Sequence, residues 1–208
     1  TPLRAVGKTV GGVTGLAGEP LSSPAERPPT PAAGGPLLPQ MHPLGMEPVN
    51  EADLDWSETE RGQTAFRRKK LAAAAVGSED PDIGCSLYEL PPGKQSWPYH
   101  YHSGNAEAFY VLAGAGLLRA PDGEHPLEAG EYVACPAGPS GAHRVVNDGE
   151  EPLRYLALST MEAPDVTVYP DSEKFGVYTG SPPGGEDERD VAGYYEHDSD
   201  VDYWEGEE

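Results

Sequence analysis

The chain has 208 residues, of which 35 are Asp or Glu and 14 are Lys or Arg, giving a formal net charge of −21. This length suffices for one domain with a hydrophobic core and additional end segments. Binding to nucleic acid or to an anionic membrane surface is disfavoured, because both need clustered cations.

The first 45 residues form a Gly/Pro-rich segment without hydrophobic periodicity, as the stretch from Pro28 to Pro36 illustrates. This composition predicts a disordered or weakly docked region. We expect the folded domain to occupy residues 46–180. The surplus of acids is typical of a solvated surface, and it also fits a halophilic protein, because salt screens the repulsion between carboxylates.

Between about residue 64 and residue 180, short apolar and aromatic runs alternate with turn residues, which is typical of an all-β domain. Ten strands are predicted: Ala65–Leu71, Cys85–Leu90, Tyr99–His102, Glu107–Leu112, Gly116–Arg119, Tyr132–Cys135, His143–Val146, Leu153–Ser159, Val166–Tyr169 and Phe175–Tyr178. Turn sequences such as Pro91-Pro92-Gly93 separate them. Without a long amphipathic helix in this region, the short strands indicate a sandwich or a barrel.

Residues 181–208 form an acidic tail that also contains Tyr194, Tyr195, Tyr203 and Trp204. A disordered acidic tail has few aromatic residues. We therefore expect part of residues 190–205 to pack against folded protein, either the barrel or a second subunit.

The two cysteines, Cys85 and Cys135, lie in strand-like stretches and do not form a CxxC pair. Free thiols are favoured, as in a reducing cytoplasm, although the sequence leaves a disulfide between them open. The start of the sequence lacks the basic-then-apolar pattern of a signal peptide, and there is no apolar run of transmembrane length. A cytoplasmic location is expected.

Four residues have the spacing and chemistry of a metal site: His100, His102, Glu107 and His143. Histidines at i and i+2 project from the same face of a strand, so both imidazoles can approach one ion. An acid that shares an inward strand face with Phe109 and Val111 is costly to bury unless it is paired or bound to metal. Imidazole and carboxylate together suit a transition metal better than calcium.

Two stretches around these residues resemble the motifs of the cupin superfamily. The first reads Gly93, six residues, His100-Tyr101-His102, four residues, Glu107, six residues, Gly114. The second reads Gly130, five residues, Pro136-Ala137-Gly138, four residues, His143, three residues, Asn147. Compared with the family motifs, the first has one extra residue before the histidine pair, and the second has two extra residues before His143. Both departures lie in loops, which affects the expected pocket shape more than the ligands.

The resemblance implies an all-β cupin fold, a jelly-roll barrel of two sheets, and specifically a small single-domain haloarchaeal protein of the cupin-2 type. It also implies that His100, His102, Glu107 and His143 bind one divalent transition metal ion, namely Zn, Fe, Mn or Ni. Trp97, Phe109 and Val111 are the candidate substrate-binding residues, although core packing is the default interpretation of Trp97 and a place at the pocket mouth is the alternative. The other histidines, His42, His125 and His197, are interpreted as surface residues.

Two hypotheses about function remain open at this point. The first is a metal-dependent enzyme of oxygenase or isomerase type, since an open coordination position lets the metal polarise a substrate. The second is a non-catalytic module that binds or senses a small molecule. Both predict a small-molecule ligand and a homodimer, and neither involves nucleic acid or a membrane. The fold alone does not select between them.

Overall fold

The structure is a computed structural model that describes residues 48–78, 81–181, 183 and 189–207. These residues contain thirteen strands, one short α-helix and three single-turn 3-10 helices. The helix is α1 (Leu71–Val76). The strands are β1 (Ser57–Arg61), β2 (Thr64–Lys70), β3 (Ile83–Leu90), β4 (Tyr101–His102), β5 (Glu107–Ala113), β6 (Ala115–Ala120), β7 (Gly123–Glu128), β8 (Tyr132–Cys135), β9 (Arg144–Val146), β10 (Leu153–Thr160), β11 (Asp165–Tyr169), β12 (Lys174–Thr179) and β13 (Val191–Glu196).

The strands form an antiparallel barrel of the cupin type, as the sequence predicted. One large sheet has the order β1-β2-β3-β10-β5-β8. Two smaller sheets have the orders β13-β12-β11-β4 and β7-β6-β9. An antiparallel bridge between His100 and His143 joins these smaller sheets, because the residues before β4 and β9 exchange backbone hydrogen bonds there.

Apolar side chains on the inward faces of the sheets fill the interior of the barrel. In the large sheet, period-two alternation points Phe109 and Val111 of β5 inward, with 5% and 1% of their surface exposed. They pack in one cluster with inward residues of the other strands: Phe66, Tyr88, Leu90, Leu118, Leu127, Cys135, Val145, Leu153 and Tyr155. Both cysteines are free thiols, Cys135 buried and Cys85 half-buried.

Four elements were absent from the sequence prediction: β1, β7, β13 and α1. The run Ala72-Ala73-Ala74-Ala75 favours a helix, which ends at Gly77 in the left-handed conformation with φ 66°. Because α1 begins at Leu71, the predicted strand Ala65–Leu71 ends one residue earlier, at Lys70.

The acidic tail contributes to the fold through β13, which pairs with β12 from Val191 opposite Thr179 to Glu196 opposite Lys174. This confirms that part of residues 190–205 pairs with the barrel, but the aromatic side chains on which the prediction rested stay exposed: Tyr194 62%, Tyr195 44%, Tyr203 82% and Trp204 65%. The predicted disordered segment, residues 1–45, lies outside the described residues.

Candidate metal centre

Three histidines reach the barrel interior from neighbouring strands of the smaller sheets. His102 lies on β4 opposite Thr167 of β11. His100, two residues earlier, is bridged to His143, which directly precedes β9. All three are buried, with 8%, 8% and 4% of the surface of His100, His102 and His143 exposed. The predicted i, i+2 pair therefore shares an inward face, and its third partner comes from the adjacent strand.

Glu107 enters from the opposite wall, as the first residue of β5 in the large sheet. Its Oε2 atom lies 2.9 Å from His143 Nε2, 3.6 Å from His102 Nε2 and 3.9 Å from His100 Nε2. Ligand atoms of His100, His102 and Glu107 lie within 4.8 Å of one another, and His143 joins this group through Glu107. The structure thus brings together all four residues that the motifs indicated.

The second ring nitrogen of each histidine is already engaged. His100 Nδ1 lies 2.7 Å from the Pro98 carbonyl and His143 Nδ1 lies 2.9 Å from the Gly141 carbonyl. A carbonyl only accepts, so Nδ1 carries the proton and donates it. His102 Nδ1 lies 2.6 Å from Asp165 Oδ2, and a carboxylate likewise accepts. Because Nδ1 carries a proton in each case, Nε2 is the nitrogen that faces the centre and would bind a metal ion.

Asp165 is the residue of this centre that the sequence reasoning missed. It lies at the start of β11 and is 2% exposed. One carboxylate oxygen accepts from His102 and the other from the backbone N–H of Gly104, at 2.9 Å. Burial raises the pKa of Asp165, but the contact with His102 outweighs it and holds the pKa below its usual value. Asp165 therefore remains an anion that orients the His102 ring.

The electrostatics of the four residues depend on their burial and mutual contact. Burial lowers the pKa of His100 to about 4, so this ring is neutral at pH 7. Burial alone lowers the pKa of His143, but Cys135 and the Glu107 carboxylate raise it to about 10. Burial alone raises the pKa of Glu107, but the contact with His143 brings it to about 2. Without a cation in the centre, Glu107 and His143 form a buried ion pair.

A transition metal ion fits this donor set. Glu107 Oε2 is buried, and no hydrogen bond of good geometry reaches it, since the 2.9 Å approach of His143 is an ion-pair contact. The His143 imidazolium compensates this carboxylate, and a metal ion would take over that role as His143 loses its proton. Three imidazole nitrogens and one carboxylate suit Zn, Fe, Mn or Ni. The histidines His125 and His197 are exposed and lie outside the centre.

The four residues line one end of a cavity of about 360 Å³. Trp97 and Phe109, two of the three candidate substrate-binding residues, also line it. The third, Val111, is 1% exposed and packs in the hydrophobic core. Trp97 is 38% exposed at the cavity mouth, and its indole N–H donates to the Tyr88 hydroxyl at 3.1 Å. The cavity is large enough for a small-molecule ligand.

Comparison with known proteins agrees with this fold. Residues 86–159 match the Cupin domain family. A glucose-6-phosphate isomerase from Thermococcus onnurineus is 36% identical over 97 residues, covering 41% of this chain and 50% of the relative. An oxalate-binding protein from Thermotoga maritima is 34% identical over 70 residues, covering 34% of this chain and 55% of the relative. The chain thus spans about half the length of the curated relatives it matches.

Among solved structures, a proposed sugar phosphate isomerase from Acidithiobacillus ferrooxidans superposes with a TM-score of 0.61 at 26% identity. The superposition covers 72% of this chain and 90% of the other. The fold is therefore the all-β cupin barrel, and the Cupin domain match supports placing the chain in the cupin superfamily. None of the described helices is long and apolar enough to cross a membrane.

Proposed function

We propose that this chain is a metal-dependent cupin that isomerises a phosphorylated sugar. The observation that carries the proposal is the convergence of three Nε2 atoms on Glu107 Oε2, each ring fixed through its Nδ1. The functions of the relatives support the reaction class, since a curated relative is a glucose-6-phosphate isomerase and a structural relative is a proposed sugar phosphate isomerase.

His100, His102, Glu107 and His143 would hold the metal ion, which is one of Zn, Fe, Mn or Ni. When bound, such an ion acts as a Lewis acid that polarises a carbonyl or hydroxyl oxygen of a substrate. Asp165 and the two backbone carbonyls keep the rings oriented, so little reorganisation is needed when a ligand enters.

The remaining wall of the cavity positions the substrate and limits the access of water. Tyr88, Phe109 and Tyr155 present a continuous aromatic surface along the large sheet. Trp97 lies at the mouth, where its indole is partly exposed. Isomerisation moves a hydrogen between neighbouring carbons, and an enclosed site protects the reactive intermediate from side reactions with solvent.

The test is an assay of glucose 6-phosphate conversion to fructose 6-phosphate, before and after metal removal by a chelator. We expect turnover to disappear on stripping and to return with one of the four transition metals but not with Ca²⁺. Protein that carries one transition metal ion per chain and yet shows no turnover of glucose 6-phosphate would contradict the isomerase proposal.

The second candidate is a non-catalytic module that binds a small dicarboxylate, favoured by the similarity to the oxalate-binding protein. The same centre would then hold the ion, with carboxylate oxygens of the ligand bound beside it. Calorimetry with oxalate separates the two functions. Tight oxalate binding without turnover of any sugar phosphate would favour the binding module.

Two further proposals concern the protein's environment and assembly. The net charge of −21 supports a salt-adapted, haloarchaeal cytoplasmic protein, for which the melting temperature should rise as NaCl increases.

A homodimer is supported by apolar side chains on the outer face of neighbouring strands: Tyr110 is 40%, Leu112 43% and Tyr132 64% exposed. Light scattering on the wild type and on Tyr132→Lys tests it, and a monomeric wild type would refute it.

A further inference from the structure

Positive side chains gather at the cavity although the chain as a whole is strongly acidic. Arg68, Lys70 and Arg189 line the cavity beside the metal centre. Within the described residues, Glu107 is the only acid of that lining, and it faces the three histidines. Three of the 14 Lys and Arg residues thus lie at one cavity, in a chain with 35 acids. A local surplus of cations at the entrance of a cleft attracts anions.

The strand geometry explains why Arg68 faces the cavity. On β2 the inward face contains Phe66, which is buried in the core, and continues with Arg68 and Lys70. Arg68 Nη1 donates to the Tyr88 hydroxyl at 3.5 Å, and its guanidinium lies 5.8 Å from the Trp97 ring centre. In the described part of the chain Arg68 has no carboxylate partner. A half-buried guanidinium without one is suited to a ligand anion.

Arg67, the next residue, shows the opposite arrangement. It lies on the other face of β2, is half-buried like Arg68, and pairs with Glu89 at 2.6 Å. The two neighbouring arginines therefore differ in what they face: Arg67 faces the Glu89 carboxylate and Arg68 faces the cavity.

A row of aromatic rings connects Arg68 with the metal centre. Tyr88, which accepts from Arg68, stacks on Tyr155 with ring centres 5.3 Å apart. Tyr155 contacts Phe109 at 5.7 Å, and Phe109 contacts His143 at 5.0 Å. Between β2 and β5 lie three strand spacings, about 14 Å in all. The side chains of Arg68 and of the metal centre extend toward each other across this distance. A ligand can therefore place its reacting end at the metal centre and an anionic end at Arg68.

We propose that Arg68 binds the phosphate group of the substrate at the cavity mouth, while its sugar carbons lie at the metal centre. The guanidinium donates two parallel hydrogen bonds to phosphate oxygens. This inference rests on the proposed function for the identity of the anion as a sugar phosphate.

The experiment compares Arg68→Gln with Arg67→Gln, which removes the same charge one residue away on the opposite face. Calorimetry on the metal-loaded proteins measures the binding of glucose 6-phosphate, glucose and inorganic phosphate. We expect Arg68→Gln to weaken glucose 6-phosphate binding by about tenfold or more, since hydrogen bonds to charged groups are lost. Arg67→Gln should bind as the wild type does, and glucose should bind both variants equally.

The outcomes separate this inference from the proposed function. If Arg68→Gln binds glucose 6-phosphate as tightly as Arg67→Gln, the anion site is refuted while isomerase activity remains testable. If the wild type does not bind glucose 6-phosphate but binds inorganic phosphate through Arg68, the anion site is supported and a sugar phosphate as its ligand is refuted. If no anion tested binds the wild type, the inference is refuted.

Discussion

Two regions of the same barrel interior have different roles. Along β5, one inward face runs from Glu107 through Phe109 to Val111, and beside β9 another runs from His143 through Val145 to Asn147. At the cavity end these faces carry Glu107 and His143, two of the proposed metal ligands, and further along they carry residues of the hydrophobic core. We call these the metal end (His100, His102, Glu107, His143) and the core end (Leu90, Val111, Val145, Leu153).

The difference teaches that period-two alternation decides burial, while chemistry decides what a buried position does. Asn147 illustrates the point, since it is fully buried yet takes no part in the metal centre. Its side-chain amide donates to the carbonyls of Leu90 and Glu151, and its oxygen accepts from the Gly149 N–H. The core end should therefore determine stability, and the metal end should determine ligand binding.

The largest expected effect is at the metal end. Replacing His102 and His143 together by Ala should abolish metal binding, because only two ligands remain. The barrel should survive, since its core does not depend on the metal. Elemental analysis and circular dichroism check both statements, with the double variant His125→Ala and His197→Ala, two exposed histidines, as the control. Full metal occupancy in the first double variant would break the distinction.

At the core end, Leu153→Ala should lower the free energy of unfolding by about 2–5 kcal/mol, because it leaves a cavity where the side chain is fully buried. Metal stoichiometry of the folded variant should stay at the wild-type value. Val201→Ala, at a position 69% exposed in the C-terminal tail, is the control and should change stability by less than about 0.5 kcal/mol. Denaturant unfolding measures the free energy of unfolding of both variants. Equal losses of this free energy would show that the core end does not determine stability.

Asp165→Asn tests the support of the metal end. The neutral amide is a weaker acceptor for the His102 ring and also brings an N–H₂ group close to the Gly104 N–H. Metal affinity should fall about 10- to 100-fold. Asp171→Asn removes a carboxylate that pairs with Arg119 at the surface and should leave the affinity unchanged. Competition with a chelator gives the affinities, and an unaltered value for Asp165→Asn would exclude the orienting role.

The pH dependence of metal affinity gives a smaller, sharper test. In the metal-free protein the pKa of His143 is raised to about 10, so at neutral pH this ring is protonated, whereas a ligating nitrogen is not. Loading therefore releases a proton, and affinity should rise about tenfold per pH unit between about pH 6 and 8. His100, with a pKa of about 4, adds nothing in this range. Affinity that is flat across it would contradict the Glu107–His143 ion pair.

Much of the barrel and the four residues of the metal end followed from the sequence, because strand alternation and the spaced motifs are local signals. The features that the sequence did not predict depend on contacts between residues far apart in the chain, or lie at the edge of a sheet. Asp165 meets His102 across 63 positions, and no local pattern marks that contact. Strand β7 is polar, contains Pro126 and lies at a sheet edge, where proline is tolerated. Val111 was predicted to line the pocket because strand alternation shows that its side chain points inward. Alternation does not show how far from the cavity the residue lies, and Val111 packs in the core.

The most direct test of the metal centre is anomalous diffraction from crystals of protein loaded with one transition metal. The account predicts one peak between the two walls of the barrel, with the Nε2 atoms of His100, His102 and His143 and an oxygen of Glu107 about 2.0–2.3 Å away. A peak bound elsewhere, or coordination that omits the histidines, would contradict it.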